Sequence, residues 1–352
     1  MKKIANTFIT KIQEDKNSKW LLLVICIAYC ISLVYNLHVA PLNMEEPRRG
    51  LVAMEMLFNN NFIVTTLLND TFYDHPPLWN IVLAFSIKLF GHNAFALRFP
   101  AALSFLLTGV LLYCVGKKYV NKNFGIFSAF YYLISVDLYF FFATSAEIDI
   151  FYSLLVFLAF LSIFHFYQKK KFYWLFGCTY FFANLAFLTK GFSTYALIGL
   201  TLLAYFSYKK SFSKLFSLPH ILFGLLSLGF IALYFYIYSF YEDAETYLTD
   251  MWSLSTGKTA TTSIKQLLLH CITYPLEIIR NIFPATLFLL FIWDKKVIQK
   301  IKEQPYILFL SITFLANIWI FIISSGARIR YSYMFFPMLI SILLYAFSLK
   351  IN

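Results

Sequence analysis

Apolar residues run through this chain in long blocks. Blocks of about 20 residues recur from Trp20 onward, which is the length a helix needs to cross a bilayer. The two-residue alternation of a membrane β-barrel is absent from them. The blocks predict ten membrane helices, at roughly 20–39, 96–116, 124–145, 148–168, 172–189, 192–208, 218–241, 276–293, 306–325 and 331–349. The predicted fold class is an all-α polytopic membrane protein with a single domain over 1–352. The block from Trp20 to Val39 exceeds a signal-peptide core and has no small-residue cleavage site after it, so it reads as the first membrane helix.

Two of the predicted connections are long. The first runs over 40–95. Within it, Arg48 to Phe58 is amphipathic, with Leu51, Met54 and Phe58 at helical spacing. Pro77 to Phe90 is a second apolar stretch, too short to span. Both predict helices lying in the membrane interface. The second connection, 242–275, has an acidic start, a middle reading "SLSTGKTATTS" and an amphipathic end near "IKQLLLHC". It reads either as a lid over a substrate groove or as a connector.

Composition agrees with the pattern. The chain is 60% hydrophobic and 13% charged, where a soluble domain carries about a quarter charged residues. The net charge of +12 has a topological reading. With the N-terminus inside, the inner segments 1–19, 117–123, 169–171, 209–217, 294–305 and the tail hold 19 of the 29 Lys and Arg residues, all of them lysines. The charge therefore implies a lipid bilayer as partner and no nucleic acid. Every arginine (Arg48, Arg49, Arg98, Arg280, Arg328, Arg330) falls on the outer side. A point charge suffices to set topology, whereas the planar guanidinium grips phosphate with two bonds. The five cysteines lack metal or redox spacing, and four lie in apolar runs as small buried hydrophobes.

Several outer residues could carry chemistry. Glu45 and Glu46 follow the first helix at the membrane surface. A carboxylate there can act as a general base, or the run Glu-Glu-Pro-Arg is simply a helix start. Glu147 and Asp149 begin the fourth predicted helix, and Asp149 lies deeper in the apolar run. Lys190 sits at a tight outer turn, either as a functional cation or as a snorkelling one. Arg328 and Arg330 fill another outer turn, with Tyr331 behind them. His75 precedes Pro76 and Pro77, which hold the backbone extended and fix where the ring points. Asp74 and His270 could meet across the two outer loops as metal ligands.

These residues resemble a known family. "MEEPRRGLVAMEML", "YDHPPLWN", "KLFGHNAFALRFPAALS", "EIDIFYSLL" and "LAFLTKG" are similar to the dolichyl-phosphate-mannose protein mannosyltransferase-like group. More closely they resemble the bacterial 4-amino-4-deoxy-L-arabinose lipid A transferases, membrane glycosyltransferases of the C-type fold. The resemblance implies a polyprenyl-phosphate sugar donor and transfer to an acceptor on the extracytoplasmic face. It places Glu45 where the family carries Asp, followed by Glu46 and Arg48. It places His75 where the family carries a phosphate-contacting Lys before two prolines. Asp149 and Lys190 match the family's acid and its Thr-Lys-Gly. Some relatives hold a metal, and Asp74 and His270 would fill those places.

The reading that results is a glycosyltransferase of a bacterial cytoplasmic membrane with its site facing outside. Glu45, Glu46 and Asp149 are its expected catalytic carboxylates. Arg48, His75, Lys190, Arg328 and Arg330 are expected to hold the donor phosphate, with the His75 imidazole raised in pKa by that anion. No cofactor is required, and a divalent metal is the one the resemblance allows. The alternatives are a flippase of lipid-linked sugars, which would favour polar groups at midplane, and a non-catalytic subunit of a surface-polysaccharide machine.

Overall fold

The computed structural model of the chain describes residues 16–256 and 263–351. Its elements are almost all helical. In chain order they are α1 (Lys16–Val39), α2 (Glu46–Phe58), α3 (Leu78–Phe90), α4 (Ala94–Tyr119), α5 (Lys122–Leu133), α6 (Ile148–Gln168), α7 (Phe172–Lys190), α8 (Ser193–Tyr208), α9 (Leu218–Tyr238), α10 (Ala244–Thr256), α11 (Ile264–Asn281), α12 (Lys295–Glu303), α13 (Pro305–Ile322) and α14 (Phe336–Ile351). A two-residue antiparallel ribbon, Thr66–Leu67 with Asp70–Thr71, lies between α2 and α3. Short 3-10 helices at Ala285–Phe291 and Ile329–Phe335 precede α12 and α14.

Helix stands at each of the ten predicted places, and the apolar helices mark an integral membrane protein. Among the described residues, six helices are long and apolar enough to cross a membrane, and a bent pair makes a seventh. The other three places are shorter: Val24–Val39 in α1, α5 with 12 residues and α8 with 16. The helices expected within 40–95 are there as α2 and α3. The middle of the second long connection, residues 257–262, lies outside the described residues, as does most of the lysine-rich segment 1–19.

Two predicted spans are interrupted. The third leaves α-helical form after Leu133 and resumes as a π-helical turn at Leu138–Phe142. The eighth bends by 113° between α11 and Ala285–Phe291, where Pro284 can donate no backbone hydrogen bond. The two breaks meet, because the Val136 amide donates to the Phe283 carbonyl at 3.2 Å. Each break thus satisfies a backbone group that its own helix abandons, which apolar surroundings demand.

Packing centres on α6, which is buried along nearly its whole length. The α4–α5 hairpin is closed by two glycines. A Cβ on Gly125 would lie 2.5 Å from the Tyr113 carbonyl, so only glycine lets the helices approach this far. Asn93 and Asn121 cap the two helices, accepting from the amides of Ala96 and Phe124. By contrast α9 buries only Ser227 and Tyr238 and is apolar all round, as a lipid-facing helix should be. The cysteines depart from expectation in the same way. Cys26, Cys30 and Cys114 are exposed on lipid-facing surfaces, and none of the five is fully buried. In a bilayer an apolar residue gains as much from lipid as from a core.

The inner segments collect at one end. Gln304 donates to the Tyr119 carbonyl, Tyr119 bonds His165, Tyr167 bonds Ser211, and Lys350 pairs with Asp294. The charged residues of the two outer loops gather at the opposite end.

Candidate active site

The end at which these loops gather is organised around a buried ion pair. Arg98, from the first turn of α4, donates to both carboxylate oxygens of Glu46, at 2.7 and 2.8 Å. Its remaining hydrogens reach the carbonyls of Leu37, Ala40 and Pro41. Glu46 also accepts the amides of Asn43 and Ala146. Both side chains are 1% exposed. Glu46 was expected beside Glu45 at the reaction centre. The structure instead turns it inward, where all its oxygen capacity is spent on fastening α1, α4 and the chain before α6. Glu45 is the N-cap residue of α2, but its carboxylate makes no cap bond. It pairs with Arg48 and stays about a third exposed.

Beside this staple lies a cluster drawn from five segments. Arg48 and Arg49 of α2 both reach Asp74, at 3.1 and 3.3 Å. Asp149, in the first turn of α6, pairs with Lys190 at the end of α7. Arg330 lies 3.3 Å from Glu147 and 3.6 Å from Asp149. The Lys190 ammonium sits over the rings of Tyr152 and Tyr331, at 5.1 and 4.6 Å. Gly191, with φ of +81°, allows the turn that ends α7 at this point. Counted at neutral pH, the cluster has four cations and four carboxylates. Hydrogen-bonding capacity is left over, however. Arg48 Nε, Arg49 Nε and Nη1, and Arg330 Nε are buried without hydrogen-bond partners, as are Glu147 Oε1 and Asp149 Oδ2. Buried orphans of this kind cost free energy unless a ligand satisfies them.

The expected residues fare unequally. Glu45, Arg48, Asp74, His75, Asp149, Lys190 and Arg330 are brought together. Arg328 is exposed at the start of its 3-10 helix, outside the ion pairs of the cluster. The metal pair is not assembled. Asp74 faces two guanidiniums, His270 Nε2 lies 3.0 Å from the Phe321 carbonyl, and no group of three or more metal-capable side chains occurs among the described residues. Two members were absent from the expected site, Arg49 and Glu147. Arg49 shares a face of α2 with Glu46, Gly50 and Ala53, all buried. That three- and four-residue spacing was the available signal.

The protein groups around His75 act against its protonation. The ring keeps some solvent contact yet is densely surrounded. Burial, then the charges of Arg49 and Lys190, push its pKa from 6.5 down to about 3, with Asp74 and Asp149 only partly opposing. Its imidazole is therefore neutral at neutral pH. Glu147 is shifted the other way, upward, by burial and by neighbouring Asp149. A stability prediction follows from His75. The unfolded chain takes up its proton near pH 6.5 and the folded chain only near 3, so acidification across that window destabilises the fold. The melting temperature of His75→Gln should fall less steeply than the wild type's between these limits. Superimposable curves would remove His75 as the cause.

The geometry defines a polytopic membrane protein with an ionic site at one end of its helices, and comparison with known proteins shows what it is similar to. Residues 74–237, a little under half of the chain, match the model of the dolichyl-phosphate-mannose-protein mannosyltransferases. The chain is 29% identical over 192 residues to an undecaprenyl phosphate-alpha-4-amino-4-deoxy-L-arabinose arabinosyl transferase of Wigglesworthia glossinidia brevipalpis, covering 52% of this chain and 32% of that protein. It is 32% identical over 193 residues to a protein of the same description from Proteus mirabilis, covering 53% and 34%. The crystal structure of ArnT from Cupriavidus metallidurans bound to undecaprenyl phosphate superposes with a TM-score of 0.74 at 17% identity, over 95% of this chain and 60% of that one. Its apo form gives 0.72 at 16% identity, over 96% and 60%. The chain thus spans about a third of the length of the curated relatives it matches. The superposition shows that the chain shares the fold of these structures, and the likeness to the dolichyl-phosphate-mannose-protein mannosyltransferases lies in residues 74–237.

Proposed function

We propose that the chain transfers a sugar from a polyprenyl-phosphate donor to an acceptor at the outer face of a bacterial cytoplasmic membrane. The observation that carries this is the pair of buried guanidinium donors on Arg49, Nε and Nη1, with no hydrogen-bond partner, in a cluster with the cations Lys190 and Arg330 that Asp149 holds. A phosphate leaving the sugar would satisfy them, and such preorganised stabilisation of developing charge is usually the largest catalytic effect. Asp149 holds Lys190 and Arg330 in place. His75 donates as a neutral imidazole, Arg48 supports Arg49 through Asp74, and Arg328 stands at the mouth. Glu45, still partly exposed, receives the acceptor's proton. The Cupriavidus structure, bound to undecaprenyl phosphate, supports a donor of this chemistry. The relatives' names put an amino-pentose first among sugars to test. A flippase would gather its polar groups at midplane, and here the ionic cluster is at the helix ends.

The test uses purified protein in nanodiscs with a panel of polyprenyl-phosphate sugars. Wild type should transfer at least one of them. Lys190→Gln should cut turnover by roughly 10² or more, the scale for removing one charge-stabilising donor. Full turnover in that variant, or none by wild type with any donor, would remove the reading.

A further inference from the structure

A cavity opens beside Glu147. It is a cavity of about 620 Å³ whose wall includes Asn36, Asp137, Phe141, Thr144, Glu147 and Arg280. It lies where the two interrupted helices meet, since Asp137 and Phe141 follow one break and Arg280 precedes the other. Its rim is apolar and exposed: Val39, Phe140 and Phe141 are each about 60% exposed and Met44 is 80%. Its floor is polar. A chamber with an oily mouth and a polar floor suits an amphiphile entering from the bilayer with its headgroup first.

The charges of the floor decide which headgroup. Arg98 and Glu46 line it but neutralise each other. Glu147 is paired through Oε2 with Arg330, which leaves Asp137 against Arg280 and no net positive charge on the floor. Asp137 accepts a hydrogen bond from Tyr333. Glu147 is 2% exposed and keeps Oε1 without a partner. The unpartnered Glu147 oxygen accepts a hydrogen bond from a hydroxyl and repels a phosphate oxygen, so it favours a hydroxyl-bearing headgroup over an anionic one. The chamber also touches the ionic cluster. Glu147 belongs to both, and Asn43, Met44 and Glu46, on either side of Glu45, line the wall.

We propose that this chamber holds the acceptor, and that the acceptor is an amphiphile with an uncharged, hydroxyl-bearing headgroup. The proposal rests on the sugar-transfer reading above. The acceptor oxygen bonds to the anomeric carbon as the bond from that carbon to the donor phosphate oxygen breaks. The electron pair leaves on the phosphate, toward Arg49, Lys190 and Arg330, and the hydroxyl proton goes to Glu45. Glu147 Oε1 accepts a hydrogen bond from a second hydroxyl and orients the headgroup.

The experiment separates the cavity from the ionic cluster in the full chain in nanodiscs. Farnesyl phosphate probes the ionic cluster. Octyl glucoside carrying a diazirine in its chain probes the cavity, with octyl glucoside and dioctanoyl phosphatidic acid as competitors. The glucoside probe should label Phe140 or Phe141, and only octyl glucoside should suppress that labelling. Thr144→Trp, which fills the cavity, should lower labelling by about tenfold or more, a loss near 1.4 kcal/mol, and leave farnesyl phosphate binding within about twofold. Lys190→Gln should do the reverse. If Thr144→Trp also loses farnesyl phosphate, Asn36→Phe fills the cavity from α1 and decides the matter. Equal suppression by phosphatidic acid, displacement by farnesyl phosphate, or labelling unchanged in the filled variant would overturn the proposal. The sugar-transfer reading fails separately, if wild type binds no farnesyl phosphate.

Discussion

Arg98→Gln is expected to cost about 3–5 kcal/mol of stability, the loss that follows when one partner of a buried pair is removed. Four segments lose their common fastening at once. Glu46 would remain buried with a charge and no guanidinium, and the carbonyls of Leu37, Ala40 and Pro41 would lose their donor. Denaturation in mild detergent reads this directly. The double variant Arg98→Met with Glu46→Leu should recover only part of the loss. It removes the stranded charge, but the amides of Asn43 and Ala146 still lose their acceptor. A single variant as stable as wild type would show that the pair is incidental.

Glu45→Gln is expected to leave the fold intact and lower transfer by roughly 10²- to 10⁴-fold, the range for a positioned general base. The neighbouring Glu46→Gln should behave in the opposite order. It should melt earlier, because Arg98 loses its counter-ion, and any lost activity should track lost fold. The pair of variants is the sharp comparison, since the two carboxylates adjoin in sequence and differ in surroundings. Equal turnover for Glu45→Gln and wild type would reduce the opening of the first loop to a helix start.

The helices were legible because a bilayer leaves the chain few choices. Apolar blocks near 20 residues must satisfy their backbone groups internally, and a helix does so. The interruptions were not legible from hydropathy, which weighs side chains and is blind to backbone direction. Residues 138–142, "LYFFF", are as apolar as any helix, yet they form a π-turn. Only Pro284 in "IFPAT" marked the second break in advance.

For the site, residue type and outer position found most members. Geometry then separated neighbours that sequence treats alike. Arg48 and Arg49 are adjacent, and only the turn of α2 sends Arg49 inward while Arg48 stays near the surface with Glu45. Glu45 and Glu46 divide by the same rotation. The protonation of His75 depends on Arg49 and Lys190, which lie 26 and 115 positions away along the chain, so no local pattern could report it.

The Arg98 staple also decides how the first helix responds to its surroundings. Along the described part of α1, burial is confined to Leu33 and Leu37, near the C-terminal end, where Arg98 grips the Leu37 carbonyl. Val24, Ile25 and Ile27, further in, face outward. A helix moored at one end accommodates a thinner or thicker bilayer by pivoting about that mooring. The sway falls on the inner half, and the ionic cluster is shielded from the thickness of the membrane in which the protein resides.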